Sequence, residues 1–200
     1  MLPWGNGETL FRVHPDIYGS LQFNPSAGGN ARFSPLVDVS GTVIPTIYAG
    51  TTLDCALMET VFHDVPFAAG PKVWSKASHV AGKVYSKLTL SRDLALIDLS
   101  AVPLHKLGIP RKELIECDGS QYPETRAWAM ALHNQYPDAE GLLWTSRQAD
   151  PARALVLFED RLKGAAMSVV GMPDSLLLPD GSAISDVLQL ALRLNVLLTP

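Results

Sequence analysis

Short apolar segments separated by turn residues constrain the fold of this 200-residue chain more than any other feature. Their patterns predict strands at residues 9–13, 43–49, 84–90, 94–99, 142–145 and 154–158. Helical patterns cover residues 51–63, 123–135 and 184–198. Because strands outnumber helices and the two do not alternate regularly, we predict an α+β fold rather than a doubly wound sheet. No repeat or linker divides the chain, which predicts one domain over residues 1–200.

Composition excludes several classes of protein. Hydrophobic residues make up 47% and charged residues 18%, which favours a packed core over disorder. The net charge of −4 disfavours a dedicated nucleic-acid binder but allows a local basic pocket for a small anion. The start lacks a secretory signal pattern, no run of 18 apolar residues occurs, and two cysteines match no disulfide framework. We therefore expect a cytoplasmic protein without a membrane segment.

Several familiar catalytic motifs are missing. The phosphate-binding loop and the nucleophile elbow do not occur, and the start of a dinucleotide fingerprint at Gly5 fails because Leu10 replaces its third glycine. The histidines show no zinc spacing. The pair His63-Asp64 is compatible with a metal ligand, but a histidine placed favourably at a helix C-terminus is the simpler interpretation.

Glu59 lies on the predicted helix over 51–63, which Thr51 or Thr52 can cap and which has Asp54 in its first turn. This helix is apolar on nearly all sides, which is typical of a buried helix. A buried glutamate is costly unless it is paired or used. Glu59 is therefore a candidate functional acid, with an exposed position or a structural ion pair as the alternatives.

Two arginines are candidate anion ligands. Arg32 lies in the loop Gly28–Pro35, where two glycines allow close backbone approach and aromatic and proline neighbours add rigidity. A guanidinium held in such a loop suits phosphate or carboxylate, with a solvated loop arginine as the alternative. Arg12 lies within the strand over 9–13, and strand alternation leaves exposure to solvent as its alternative.

Polar groups also follow two predicted strands. Ser146 and Arg147 come directly after the apolar segment 142–145, at a position where pockets place polar side chains, although an ordinary strand-to-turn junction is the simpler interpretation. Tyr48 ends the strand over 43–49, and its ring could stack on a cationic heterocycle or pack in the core.

In order, these stretches resemble the RES-domain family, the toxin half of bacterial toxin–antitoxin pairs. The matching segments are LFRVH (10–14), FNPSAGGNARFSP (23–35), IYAGTTLDCALMETVFHD (47–64) and GLLWTSRQ (141–148). The resemblance assigns the family's catalytic arginine, glutamate and serine to Arg32, Glu59 and Ser146. Arg12 and Tyr48 match its further substrate-binding residues. Residues 66–122 carry no recognisable motif.

The resemblance implies a mixed sheet with flanking helices, related to ADP-ribosyltransferases. It implies NAD⁺ as substrate, cleaved at the nicotinamide–ribose bond with phosphate or water as acceptor, and neither a further cofactor nor a metal. The chemistry agrees: an arginine pair suits the pyrophosphate, Tyr48 suits the nicotinamide, and Glu59 could stabilise an oxocarbenium-like transition state. Ser146 would then position ribose or nicotinamide through hydrogen bonds.

The resemblance also implies a partner. This is an Xre-like helix-turn-helix antitoxin that covers the pocket, so the toxin would contact DNA only through it. A homodimer within that complex is compatible with the sequence, which does not fix the stoichiometry. Two other functions stay open: a mono-ADP-ribosyltransferase that modifies a cellular protein, and a catalytically silent module that only binds its partner.

Overall fold

The computed structural model describes residues 1–177 and 183–200. Within these ranges the strands are β1 Leu2–Trp4, β2 Thr9–Pro15, β3 Leu36–Val37, β4 Val43–Ile44, β5 Thr46–Gly50, β6 Lys72–Ser75, β7 Lys83–Leu90, β8 Leu94–Asp98, β9 Gly141–Thr145, β10 Arg153–Phe158, β11 Met167–Ser175 and β12 Val196–Thr199. The helices are α1 Leu53–Met58, α2 Lys76–His79, α3 Ala101–Leu107, α4 Arg111–Leu114, α5 Tyr122–Gln135 and α6 Ala183–Arg193.

Eight strands form one mixed sheet in the order β1-β8-β9-β10-β5-β2-β7-β11. Neighbouring strands are antiparallel throughout this sheet, except that β8 and β9 are parallel. Two small sheets, β3-β4 and the parallel pair β6-β12, flank it. The predicted α+β fold with a mixed sheet and flanking helices is therefore confirmed.

The main sheet is weakly joined between β2 and β5. These neighbours pair only at Phe11 and Gly50, whereas β5 pairs with β10 at five positions. A Cβ atom on Gly50 would lie 2.9 Å from the backbone nitrogen of Ala56, so glycine allows α1 to pack closely against this junction. The two strands separate beyond that single pair, which leaves room for a cavity between them.

The central strands are buried on both faces. Along β10, Val156 packs into one apolar cluster with α3 and α5, while its neighbours Leu155 and Leu157 pack into a second cluster on the opposite face. A third cluster joins α1 to α6 through residues such as Leu57 and Leu190. This alternation explains why the segment over 154–158 is a continuous apolar run.

The predicted boundaries of the segment 43–49 and of the final helix are wrong. The segment 43–49 is divided by Pro45 into β4, which pairs with β3, and β5, which joins the main sheet. The final helix ends at Arg193 instead of continuing to Leu198, because Asn195 has a φ of 55° and residues 196–199 then pair with β6. This pairing joins segments about 120 residues apart, which local periodicity does not detect. None of the helices in the described ranges is long and apolar enough to cross a bilayer.

Candidate active site

A cavity of about 400 Å³ opens where β2 and β5 separate. Its volume lies in the range of small-molecule sites, which is roughly 300–1,000 Å³. The lining comes from distant parts of the chain: β2, the loop around Arg32, β5, the segment from α1 to Asp64, Tyr122 and Trp144. Arg12, Arg32, Tyr48 and Glu59 all reach this cavity.

Glu59 reaches the cavity because α1 ends there. The hydroxyl of Thr52 accepts the N–H of Cys55 and caps the helix start, whereas Glu59 is the C-terminal capping residue. The prediction of a helix to Phe62 or His63 is therefore wrong. Thr60 donates its hydroxyl to the carbonyl of Ala56 at 2.6 Å, and residues 59–64 form turns. Such side-chain bonds compete with helix continuation.

Ser146 forms a hydrogen bond with Glu59 outside the cavity lining. Its hydroxyl donates to Oε1 of Glu59 at 2.6 Å and accepts the backbone N–H groups of Gln148 and Ala149 at 3.1 Å each. The serine is fully buried and is not among the cavity-lining residues. The family resemblance assigned both residues to one site. In the structure, the Ser146 hydroxyl contacts the Glu59 carboxylate and does not line the cavity.

Arg32 is 5% exposed. It contacts Cys117 and Tyr122, which lie in the part of the chain where the sequence showed no motif. Its Nη1 donates to the carbonyl oxygen and the Sγ of Cys117 at 3.5 and 3.4 Å. Its Cζ lies 5.3 Å from the centroid of the Tyr122 ring, at cation–π distance. The guanidinium is therefore fixed in orientation at the cavity wall.

Arg12 is also buried, which excludes the alternative that strand alternation exposes it to solvent. Arg12 lies on the same buried face of β2 as Leu10 and His14. Its guanidinium donates to the carbonyls of Gly19, Ser20 and Gln22 at 2.7–3.1 Å. Burial lowers the pKa of Arg12 to about 10, so the group stays cationic at neutral pH.

The two buried guanidiniums contact no carboxylate in the described part of the chain. Among residues 1–177 and 183–200, neither Arg12 nor Arg32 forms an ion pair with a carboxylate. Their partners are carbonyls, a sulfur and a ring, which orient a cation without cancelling its charge. Since buried charges are usually paired, this arrangement favours an anionic ligand in the cavity.

Tyr48 connects the arginine loop to the sheet. Its hydroxyl accepts the N–H of Phe33 at 3.0 Å, and its ring packs edge-on against Trp144. Burial raises the pKa of Tyr48 to about 12, so it is a neutral phenol. The indole Nε1 of Trp144 is buried and has no hydrogen-bond partner in the described structure.

Sequence analysis missed part of the cavity wall. His63 lies in the turn after α1, where Nδ1 is 2.7 Å from the Asp64 carboxylate and Nε2 is 3.1 Å from the Tyr122 hydroxyl. The interpretation of His63 as a helix C-terminal cation is wrong, because α1 already ends at Met58. The spacing of four residues between Glu59 and His63 could have indicated that His63 belongs to the site, whereas nothing in the sequence indicated Tyr122. No cluster of three or more potential metal ligands occurs in the described ranges.

The chain resembles known proteins in both sequence and fold. A family model described as the RES domain matches residues 9–179. The crystal structure of the M. tuberculosis MbcT–MbcA toxin–antitoxin complex contains a chain with a similar fold, at a TM-score of 0.58 and 15% identity. The match covers 84% of this chain and 83% of that one. A search of curated proteins gave no match.

Proposed function

This chain belongs to the RES-domain family, and on that premise we propose that it is a toxin enzyme that cleaves NAD⁺ at the nicotinamide–ribose bond. One observation carries the proposal. A positioned carboxylate, Glu59, shares a cavity with two buried arginines that have no carboxylate partner among the described residues. NAD⁺ combines an anionic pyrophosphate with a glycosidic bond to a cationic leaving group, and these two features need such groups.

The arginines serve the anionic part of the substrate. Arg32 and Arg12 bind the pyrophosphate, since a guanidinium provides directed donors for phosphate oxygens. Arg12 already donates to three carbonyls of residues 19–22, so it contributes chiefly its charge. Tyr48 and Trp144, which pack edge to face, add aromatic surface to the cavity lining, and an aromatic ring suits the nicotinamide.

Glu59 serves the reacting carbon. Departure of nicotinamide leaves positive charge on the ribose, and a fixed carboxylate stabilises that charge without reorganising. Ser146 acts as a positioning residue, because its hydroxyl donates to the carboxylate rather than reaching the cavity. The acceptor, phosphate or water, then attacks the anomeric carbon.

The partner belongs to the same proposal. The RES family and the fold shared with a chain of a toxin–antitoxin complex support an antitoxin, for which we propose an Xre-like helix-turn-helix protein. It would cover the cavity and contact DNA, consistent with a toxin of net charge −4.

The test is to incubate purified protein with NAD⁺, with and without inorganic phosphate, and to quantify nicotinamide and the ribose product. We expect nicotinamide release by wild type and a loss of about 100-fold or more in Glu59→Gln. Glu113→Gln, an exposed glutamate on α4, is the matched control. A folded wild-type protein that releases no nicotinamide under either condition contradicts the proposal. Transfer of labelled ADP-ribose to a discrete protein would instead identify a mono-ADP-ribosyltransferase.

A further inference from the structure

A second set of polar groups lines the cavity without a role in bond cleavage as described above. Tyr122, His63 and Asp64 form a continuous hydrogen-bonded chain, with Tyr122 Oη 3.1 Å from His63 Nε2 and His63 Nδ1 2.7 Å from Asp64 Oδ1. All three residues contribute to the cavity lining. Tyr122 is 4% exposed, while Asp64 lies at the solvent side with 82% of its side chain exposed.

The order of the three groups defines a direction for a proton. The Asp64 carboxylate can only accept, so it keeps a proton on Nδ1 of His63. Nε2 then has a free lone pair that accepts from the phenol of Tyr122. The Tyr122 oxygen retains lone pairs of its own, so it can accept a proton from a molecule in the cavity while its own proton passes to Nε2.

Two further contacts hold His63 and Tyr122 in place. The amide of Gln148 donates to the carbonyl of His63 at 3.0 Å, two residues after Ser146, which donates to Glu59. One loop therefore holds both the backbone of His63 and the carboxylate of Glu59. The Tyr122 ring is held under the Arg32 guanidinium, so the phenol is fixed as well.

We propose that Asp64, His63 and Tyr122 form a proton relay that activates water as the acceptor, an inference that rests on the proposed cleavage of NAD⁺. The bond between the anomeric carbon and the nicotinamide nitrogen breaks, and its electron pair neutralises the pyridinium. The water oxygen bonds to the anomeric carbon. One water proton passes to Tyr122 Oη while the phenolic proton passes to His63 Nε2, and Asp64 stabilises the imidazolium. The products are ADP-ribose, nicotinamide and a proton.

Phosphate needs no such relay. Inorganic phosphate carries negative charge on its oxygens at neutral pH and attacks without first losing a proton. Water is a poor nucleophile until a base removes its proton during attack. The relay should therefore control the partition between the two acceptors, rather than the breaking of the glycosidic bond itself.

The test measures that partition. Wild type, Asp64→Asn and Tyr122→Phe are incubated with NAD⁺ in phosphate-free buffer and in phosphate, and ADP-ribose and ADP-ribose-1″-phosphate are quantified. Tyr122→Phe keeps the ring under Arg32, and Asp64→Asn changes an exposed side chain. His105→Ala, an exposed histidine on α3, is the control and should behave as wild type. In both relay variants we expect the ratio of ADP-ribose to ADP-ribose-1″-phosphate to fall by on the order of 100-fold.

The outcomes separate this inference from the proposed function. Equal losses of both products in the variants would indicate a structural role and overturn the relay, as would unchanged product ratios. A wild-type protein that releases nicotinamide only with phosphate also overturns the relay, while NAD⁺ cleavage stands. Absence of nicotinamide under both conditions overturns NAD⁺ cleavage itself and removes the basis of the relay.

Discussion

The hydroxyl of Ser146 donates to Oε1 of Glu59 at 2.6 Å and so joins the end of β9 to the end of α1 across 87 positions of the chain. This bond fixes the Glu59 carboxylate in place between the end of a strand and the end of a helix. The same hydroxyl accepts two backbone N–H groups of its own loop, so its orientation is fixed. A carboxylate held this way pays little reorganisation cost when positive charge develops nearby.

Removing that hydroxyl should affect turnover more than binding. In Ser146→Ala, Glu59 loses its fixed donor, and we expect kcat for nicotinamide release to fall about 10- to 100-fold with KM changed less than about threefold. Ser168→Ala, an exposed serine on β11, is the control. A rise in KM at unchanged kcat would instead place Ser146 in substrate binding.

Arg32 should contribute to affinity through the geometry of its guanidinium. Arg32→Lys keeps the charge but loses the planar fork and the orientation over the Tyr122 ring. A loss of about 2 kcal/mol, or roughly 30-fold in Kd for NAD⁺, is expected from weakened charge-assisted hydrogen bonds. Calorimetric titration in a Glu59→Gln background, in which turnover is slow, measures it, with Arg193→Lys, exposed and paired with Asp54, as the control. Equal affinities for all three proteins would exclude Arg32 from the anion site.

Glu140 should make stability depend on pH. Burial disfavours its charge, but hydrogen bonds from Arg92 and from the N–H groups of Ala95 and Lys163 outweigh burial and lower the pKa of the carboxyl. A lowered folded-state pKa stabilises the protein above the unfolded value of roughly 4.3, and this stabilisation is lost as pH falls through the folded value.

Glu140→Gln should therefore unfold more easily at neutral pH, by about 2 kcal/mol, because a partly buried ion pair with Arg92 is broken. Urea denaturation at several pH values measures this difference, which should shrink as pH drops below roughly 4.3. A difference that is constant from neutral to acidic pH would show that the charge of Glu140 does not contribute.

Gly141 should tolerate no side chain. A Cβ atom there would lie 2.2 Å from the carbonyl oxygen of Val156, inside the pairing of β9 with β10. Gly141→Ala should lower the free energy of unfolding by about 2–3 kcal/mol. Gly19→Ala is the control, because its added Cβ would have ordinary contacts at 3.8 Å. Equal Tm values for the two variants would contradict the packing described for β9.

The sequence predicted correctly those helices and strands that are determined by residues close together in the chain. The strand around Arg12 and the helix over 123–135 occur close to their predicted places because period and proline position define them. The end of α1 was missed because Thr60 bonds back to the chain, and β12 was missed because β6 completes it. Such events depend on contacts that periodicity does not encode.

The residues of the candidate site likewise include some that the sequence predicted and some that it did not. Arg32 and Glu59 were predicted from a rigid loop and an acid on an apolar helix, and both reach the cavity. Tyr122 was not predicted, because a tyrosine at the start of a helix carries no signal until the fold brings it under Arg32. The position of Ser146 behind Glu59 likewise follows from the sheet rather than from its own segment.

A structure of the Glu59→Gln variant with NAD⁺ tests the account most directly, since weakened turnover preserves the dinucleotide. We expect the nicotinamide ribose beside residue 59 and the pyrophosphate within hydrogen-bond distance of Arg32, between β2 and β5. A dinucleotide bound elsewhere on the protein, or no dinucleotide at saturating NAD⁺, would contradict it.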